Sequence, residues 1–214
     1  MKKIVLLLTI IVLVLMNNIS LGYTDNYIKF IKPNGTTMDN NEMEYKILDI
    51  DGKSNIYIKI SKNLTNKNSS NLTQDDLDSL NKEIKEQAEK EYNTNIQILN
   101  SKLSTVGKIY YRCIIYEHKI EKYELYQKIY MILSDNYIYS IALTSDKLNY
   151  FTNKNVEDFL TSIEIKDNIT EYKNNANQTN NDSQQGILVE IISVIILILI
   201  SNIIFFIQNK KRKK

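Results

Sequence analysis

A continuous apolar segment near the carboxyl end constrains this chain more than any other feature of its sequence. Residues 187–207 are 21 positions occupied almost entirely by Ile, Leu, Val and Phe, and residues 208–214 include five Lys or Arg. A helix of about 20 apolar residues satisfies its own backbone hydrogen bonds and spans a bilayer. Basic residues beside such a span favour the cytoplasmic side. The sequence therefore predicts a transmembrane helix at 187–207 and a basic cytoplasmic tail at 208–214.

The amino-terminal residues are typical of a secretory signal peptide. Lys2 and Lys3 precede an apolar run at 4–16, and small residues at positions 20 and 22 suit a signal peptidase. These features predict a signal peptide at 1–22 that is cleaved before Tyr23. An uncleaved signal anchor is the alternative. Both interpretations place residues 23–186 outside the cytoplasm.

The exported region carries no cationic excess. The formal net charge of the whole chain is +2, but residues 23–186 contain 20 basic and 24 acidic residues. Nucleic-acid binding needs a cationic surface that displaces counterions, so we expect no nucleic-acid partner. The single cysteine excludes an intramolecular disulfide. The heavy use of Asn, Ile, Lys and Tyr is typical of an AT-rich genome and favours a low-GC Gram-positive bacterium over an AT-rich eukaryote.

Hydrophobic periodicity predicts one folded domain at 23–166. Alternation of period two indicates strands at 27–31, 44–50, 55–62, 96–99, 108–117, 123–133 and 137–144. A capping-box pattern at Thr73 and Asp76 indicates one helix, and Asn155 is expected to cap a second. We therefore expect an α+β fold in which an antiparallel sheet of about six strands carries two packed helices. The Asn- and Gln-rich residues 167–186 are predicted to form a flexible linker to the membrane.

The sequence contains no evident set of catalytic or metal-binding residues. Its one cysteine, Cys113, and its one histidine, His118, lie five positions apart near one predicted strand, so they should face opposite sides of the sheet. A Cys–His nucleophilic pair needs direct contact, and a zinc site needs more ligands. The acidic stretch at 75–78 lacks the glycine and the distal glutamate of an EF-hand loop. We expect no catalytic residue, cofactor or metal, although a pair of carboxylates from distant positions stays open.

Tyrosine is abundant, with 15 residues in the chain. In the predicted strands 108–117 and 123–133 the odd positions are mostly apolar, so the even positions form the opposite faces. Tyr and Arg are enriched at binding surfaces. The predicted binding residues on these faces are Tyr110, Arg112, Tyr116, Tyr126, Lys128 and Tyr130. A helix that covers this face, or codon bias, would explain the same tyrosines without binding.

Three segments resemble the PsbP-like family, which is named after an extrinsic subunit of photosystem II. They are IKFIKP at 28–33, YIYSIAL at 137–143 and VEDFLTSI at 156–163. The resemblance extends over most of 23–166 as an order of elements. It implies an antiparallel sheet with helices packed against it, one of them carboxyl-terminal. It implies no shared catalytic residues, and it suggests an adaptor or ligand-contacting module by analogy of fold.

These observations together predict a non-enzymatic binding or adaptor domain that is tethered to the cell membrane and contacts an envelope protein. Two alternatives stay open. The first is an extracellular glycan or cell-wall hydrolase, which a converging pair of Asp or Glu in a cleft would favour. The second is a sensor of a small ligand, which a sizeable apolar pocket would favour.

Overall fold

The computed structural model describes residues 22–49, 52–64, 68–92, 96–109 and 111–169. The strands within these residues are β1 (Gly22–Thr24), β2 (Ile28–Ile31), β3 (Thr36–Asn41), β4 (Glu44–Asp49), β5 (Ser54–Lys62), β6 (Ile96–Val106), β7 (Tyr111–Ile120), β8 (Leu125–Leu133), β9 (Tyr137–Ser145) and β10 (Glu164–Ile165). The α-helices are α1 (Gln74–Tyr92) and α2 (Lys154–Ser162), and 3-10 turns lie at Glu121–Tyr123 and Leu148–Thr152. The predicted α+β class with two helices is confirmed.

The strands form two antiparallel sheets. A seven-stranded sheet has the order β3-β4-β5-β9-β8-β7-β6, and a three-stranded sheet has the order β1-β2-β10. The antiparallel pairing is as predicted, but the prediction of one sheet of about six strands is wrong, because the strands are divided between a sheet of seven and a sheet of three. The segment at 27–31 forms β2 of the small sheet, because its partners are the short strands β1 and β10. The main sheet also contains β3, a strand that was not predicted and that pairs along its length with β4.

Both faces of the seven-stranded sheet are covered. On one side, here termed the α1 face, Leu77, Leu80 and Ile84 of α1 pack on the sheet with Tyr116 and Ile129. The other side, the α2 face, is covered by α2 and by the three-stranded sheet. Its core includes Phe30, Ile58, Cys113, Ile132 and Phe159. The central strands are therefore buried at odd and even positions alike, as expected for a sheet between two layers.

The helix starts follow local hydrogen bonding. The backbone amide of Thr73 donates to Asp76 Oδ2 over 2.8 Å, and the amide of Asp76 donates to Thr73 Oγ1 over 3.3 Å, which confirms the predicted capping box. The cap of α2 is Asn153, whose side chain accepts from the amide of Asn155 over 2.9 Å. The prediction of Asn155 as the cap is therefore wrong by two residues, because Asn155 already lies within the first turn.

Residues 1–21 and 170–214 lie outside the described residues. They contain nearly all of the predicted signal peptide, most of the linker, the predicted span at 187–207 and the basic tail. Among the described elements, no helix has both the length and the apolar composition that a bilayer crossing requires.

The turn between β1 and β2 is organised by the carboxylate of Asp25. Its Oδ1 accepts from the amides of Tyr27 and Ile28 at 2.7 and 2.9 Å. Its Oδ2 accepts from the hydroxyls of Tyr23, over 3.2 Å, and of Tyr45. Burial alone would raise the pKa of this carboxyl, but the hydrogen bonds from Tyr45, the two amides and Tyr23 outweigh burial and lower it. The ionised carboxylate thus joins the first turn to β4.

We expect Asp25→Asn to lower the free energy of unfolding by about 1.5 kcal/mol at neutral pH, a value reduced for the partial exposure of the carboxylate. The variant loses an ionised acceptor for two tyrosine hydroxyls. Because the pKa of Asp25 is lower in the folded state, its contribution is present above pH of about 4 and is lost as the pH falls through the native pKa. Urea unfolding at neutral and acid pH measures the difference.

Asp39→Asn is the matched control, because Asp39 is exposed on β3. This variant should change the free energy of unfolding by no more than about 0.5 kcal/mol. Equal destabilisation by the two substitutions at neutral pH would contradict the role of Asp25.

Candidate functional site

A surface cleft with a volume of about 630 Å³ lies between β2 and α2. In β2 the side chains of Ile28 and Phe30 point into the core, whereas Lys29 and Ile31 are exposed. The Phe30 ring meets the Phe159 ring of α2 edge-on at a centroid distance of 5.5 Å, so the two elements share an aromatic floor. Ile31 keeps 44% of its surface exposed beside this floor. The cleft therefore offers an exposed apolar side chain beside a pair of buried aromatic rings.

Two hydrogen bonds donated by backbone amides fix the end of α2 against the rest of the cleft. The amide of Ile31 donates to Ser162 Oγ over 2.8 Å. The amide of Lys108, in the turn between β6 and β7, donates to the carbonyl of Ile163 over 2.8 Å. Because β2, α2 and this turn are joined in this way, Lys29 and Lys108 are held at the same edge of the cleft.

Three lysine side chains surround one carboxylate at this edge. The Nζ atoms of Lys29 and Lys108 each lie 3.4 Å from Glu164 Oε2, and Lys166 Nζ lies 3.4 Å from Oε1. Hydrogen bonds from Lys108 and Lys166, with the charge of Lys29, lower the pKa of Glu164. Each exposed pair contributes little stability. The three lysines and Glu164 together carry a net charge of +2. An anionic side chain of a partner would therefore meet a local cationic excess.

The predicted binding residues do not share one surface. Tyr110 lies outside the described residues. Arg112 and Tyr116 lie on the α1 face, where Tyr116 is fully buried under α1. Arg112 donates to the carbonyls of Ser70 and Leu72 at 3.3 and 3.0 Å and so holds the loop before α1. The covering helix, which the sequence left open as an alternative, accounts for the burial of Tyr116.

The other three predicted residues lie on the α2 face. Tyr130 is 7% exposed within the core, and Tyr126 packs at its margin. Lys128 Nζ lies 3.5 Å from Glu117 Oε2 and 5.8 Å from the centre of the Tyr130 ring. The prediction of one common Tyr-rich face is wrong, because Tyr116 pairs with Ile129 and Tyr130 pairs with Ile115. Directly paired residues share a face, so the even positions of β7 and β8 lie on opposite sides.

The one cysteine and the one histidine are held apart by the sheet. Cys113 is buried on the α2 face, and burial raises the pKa of its thiol to about 12. His118 lies on the α1 face with its ring 5.0 Å from that of Tyr116, and burial lowers the pKa of its imidazole to about 3. The two groups cannot form a nucleophilic pair. Within the described part of the chain, no three Cys, His, Asp or Glu residues are grouped so as to hold a metal ion.

The cleft is not evident in the sequence, because its cations come from separate parts of the chain. Lys29, Lys108 and Glu164 are brought together by the pairing of β2 with β10 and by the turn after β6. The one local signal is the exposed position of Lys29 and Ile31 in the alternating segment IKFI.

Comparison of the sequence with models of protein families and with curated proteins gives no match. Among solved structures, the chain is similar to the solution structure of cyanobacterial PsbP (CyanoP) from Synechocystis sp. PCC 6803. The TM-score is 0.50 and the identity 13%, covering 68% of this chain and 91% of that chain. A crystal structure from Bacteroides thetaiotaomicron VPI-5482 gives a TM-score of 0.38 at 12% identity and covers 66% of this chain and 46% of that chain. The expected resemblance to PsbP is thus confirmed for the fold alone.

Proposed function

We propose that this chain is a non-enzymatic binding or adaptor domain, tethered to the cell membrane of a low-GC Gram-positive bacterium, that contacts an envelope protein through the cleft between β2 and α2. The tether rests on the apolar segment 187–207 and the basic residues after it. The signal-like residues 1–22 support an extracytoplasmic position for the domain. The source organism rests on the amino-acid composition alone.

The observation that carries the proposal is the combination of charge and apolar surface in the cleft. Lys29 and Lys108 line the cleft and face Glu164, and Ile31 is exposed in the same cleft. A partner segment with an acidic side chain next to an apolar one complements this arrangement. The acidic side chain would meet Lys29 and Lys108, and the apolar side chain would cover Ile31. Such complementarity directs association and excludes partners of the wrong charge.

The carboxylates of the cleft do not favour the hydrolase alternative. Asp158 and Glu164 both line it, but the pKa of Glu164 is lowered by Lys108, Lys166 and Lys29. A general acid of a glycoside hydrolase needs a raised pKa so that it holds a proton near neutral pH. Glu164 is therefore suited to pair with lysine rather than to donate a proton.

Reversing the charge of the cleft should disrupt the partner complex. In Lys29→Glu/Lys108→Glu we expect recovery of the partner to fall about tenfold, because two attractive contacts become repulsive. The measurement is mild crosslinking of the full-length protein in intact cells, followed by affinity purification and mass spectrometry. Recovery from the unmodified protein without crosslinker should also fall as salt is raised, since exposed charges are screened.

The matched control is Lys82→Glu/Lys122→Glu, which makes the same change in net charge at exposed positions away from the cleft. Lys82 lies on α1, and Lys122 lies in the turn between β7 and β8. This variant should recover the partner as the unmodified protein does. Equal recovery from both double variants would refute the cleft as the contact surface.

A further inference from the structure

In the part of the chain that the structure describes, buried polar side-chain atoms without partners are confined to one side of the main sheet. Six such side-chain atoms occur among the described residues, and all lie on the α1 face. They are Asn55 Oδ1, Tyr116 Oη, His118 Nδ1, His118 Nε2, Gln127 Oε1 and Ser140 Oγ. Folded proteins pair the large majority of their buried polar atoms, so this concentration calls for a physical reason.

Four buried polar residues form a continuous row across the α1 face. His118 pairs with Gln127, Gln127 pairs with Thr144, and Thr144 pairs with Asn55 in successive strands of the sheet. None of the four is more than 3% exposed. Three inter-strand spacings make the row about 14 Å long. One hydrogen bond within it joins Gln127 Nε2 to Thr144 Oγ1 over 3.0 Å.

The other face of the same sheet shows no such feature in the part that the structure describes. There the buried hydroxyls of Ser54 and Ser145 lie 2.9 Å apart and are hydrogen-bonded to each other. Among the described residues, the buried side-chain polar atoms of the α2 face thus have partners within the protein, whereas six on the α1 face have none.

A cavity opens beside the His118 end of the row. It has a volume of about 430 Å³ and is lined by Lys85 of α1, by Ile96, Gln97 and Ile98 of β6, and by Glu121. Ile98 is paired directly with His118, so one residue of the cavity wall adjoins the row. This volume is within the range of small-molecule sites in proteins.

We propose that the α1 face contains a second binding site, separate from the cleft, for an uncharged hydroxyl-rich ligand of the sugar type. The ligand enters between Lys85 and Ile98 and hydrogen-bonds to His118 and Gln127 at the near end of the row. The site would make the domain a small-ligand sensor as well as a partner-binding module.

The chemistry of the row selects for such a ligand. The free carbonyl oxygens of Asn55 and Gln127 require donors, whereas the neutral imidazole and the hydroxyl of Tyr116 can donate or accept. Sugar hydroxyls do both, and the apolar face of a sugar ring can pack on Tyr116. The row contains no charged side chain, so an ionic ligand would lose its hydration without gaining a counter-charge.

Calorimetry and thermal unfolding test the proposal on the full-length protein in a detergent without a sugar headgroup. The probe is N,N′-diacetylchitobiose at millimolar concentration, and its deacetylated, cationic form is the charged counterpart. We expect the neutral sugar to bind and to raise Tm, and the cationic form to bind at least about tenfold more weakly. The absence of both heat and a Tm shift with the neutral sugar would overturn the proposal, as would equal binding of the two forms.

The variant Gln127→Met/Thr144→Val removes the polar groups of two central positions while keeping similar shapes. We expect it to bind the neutral sugar at least about tenfold more weakly and to keep or raise Tm without sugar. Thr105→Val, at an exposed position of β6, is the control and should bind normally. Normal binding by the double variant would refute the site.

If the double variant does not fold, hydrogen exchange in the unmodified protein tests whether the sugar binds at the polar row. The neutral sugar should then slow exchange in β7 and β8 but not in β3 and β4. Protection that spreads equally over all four strands would refute a site at the row.

Discussion

Gly107→Ala is expected to lower the free energy of unfolding of the domain by about 4 kcal/mol. Gly107 has φ of +88°, a conformation that alanine adopts only with strain. A Cβ atom there would lie 2.6 Å from Tyr111 Cδ2 and 2.9 Å from the carbonyl oxygen of Ile163. That carbonyl accepts from the amide of Lys108 over 2.8 Å, so it cannot retreat without breaking the contact between this turn and the end of α2.

Gly35→Ala separates backbone strain from close packing. Gly35 also has positive φ, +71°, but no atom lies within 4 Å of the position that an added Cβ atom would take. Its substitution should cost about 1 kcal/mol, the strain alone. Thermal unfolding followed by circular dichroism should therefore show a much lower Tm for Gly107→Ala than for Gly35→Ala. Equal shifts would mean that the close approach to Ile163 does not constrain the fold.

The sequence predicts best those elements whose side chains alternate strongly. The predicted bounds of β5, β8 and β9 lie within two residues of the observed ones, because Ile, Leu and Tyr recur in these strands with period two. The strand predicted at 108–117 is observed three residues later, as β7. No alternation marks β3, because TTMDNN is polar, and this edge strand owes its place to pairing with β4. The predicted end of β6 is residue 99, but the strand continues to Val106, past an irregularity between Ile98 and Asn100 that interrupts the alternation.

Which face a residue occupies does not follow from alternation alone. Alternation predicts one apolar face at the odd positions of β7, yet Ile114 and Tyr116 are as deeply buried as Cys113. Ile109, expected in that apolar face, precedes the strand and is 67% exposed. Periodicity shows which side chains of a strand lie on the same face. Whether a face is buried depends on the helices or strands that pack over it in the tertiary structure. The same limit explains why the predicted tyrosines are divided between opposite faces.

Neither candidate site is visible as a motif. The cleft assembles Lys29, Lys108 and Glu164 through contacts between residues far apart in the chain. The polar row assembles His118, Gln127, Thr144 and Asn55 through the register of four strands. A slip of one residue in any pair would move a member of the row to the α2 face. These groups are brought together only by the order and register of the strands, which cannot be read from the sequence.

The burial of His118 leads to the second large expected effect, a loss of stability in mild acid. Burial lowers the pKa of its imidazole to about 3 in the folded state, whereas the unfolded chain titrates near the usual value of about 6.5. Between pH of about 3 and 6.5, the imidazole of His118 is protonated in the unfolded chain but not in the folded protein. Above pH of about 6.5, this group therefore leaves the free energy of unfolding unchanged. Below that pH, the free energy of unfolding falls by about 1.4 kcal/mol for each pH unit.

Urea unfolding between pH of about 6.5 and 5 isolates this effect. Over that interval we expect the free energy of unfolding to fall by about 2 kcal/mol. The carboxyls with lowered pKa, such as Asp25, Glu44 and Asp167, reduce stability only at more acid pH, where they become protonated in the unfolded chain.

His118→Phe keeps a buried aromatic ring beside Tyr116 but removes the titrating group. This variant should show little change in the free energy of unfolding over the same pH interval. It should also be more stable than the unmodified protein by about 1 kcal/mol at neutral pH, because two buried nitrogen atoms without partners are removed. Equal pH dependence in the two proteins would show that the burial of His118 is not the source of the loss of stability in mild acid.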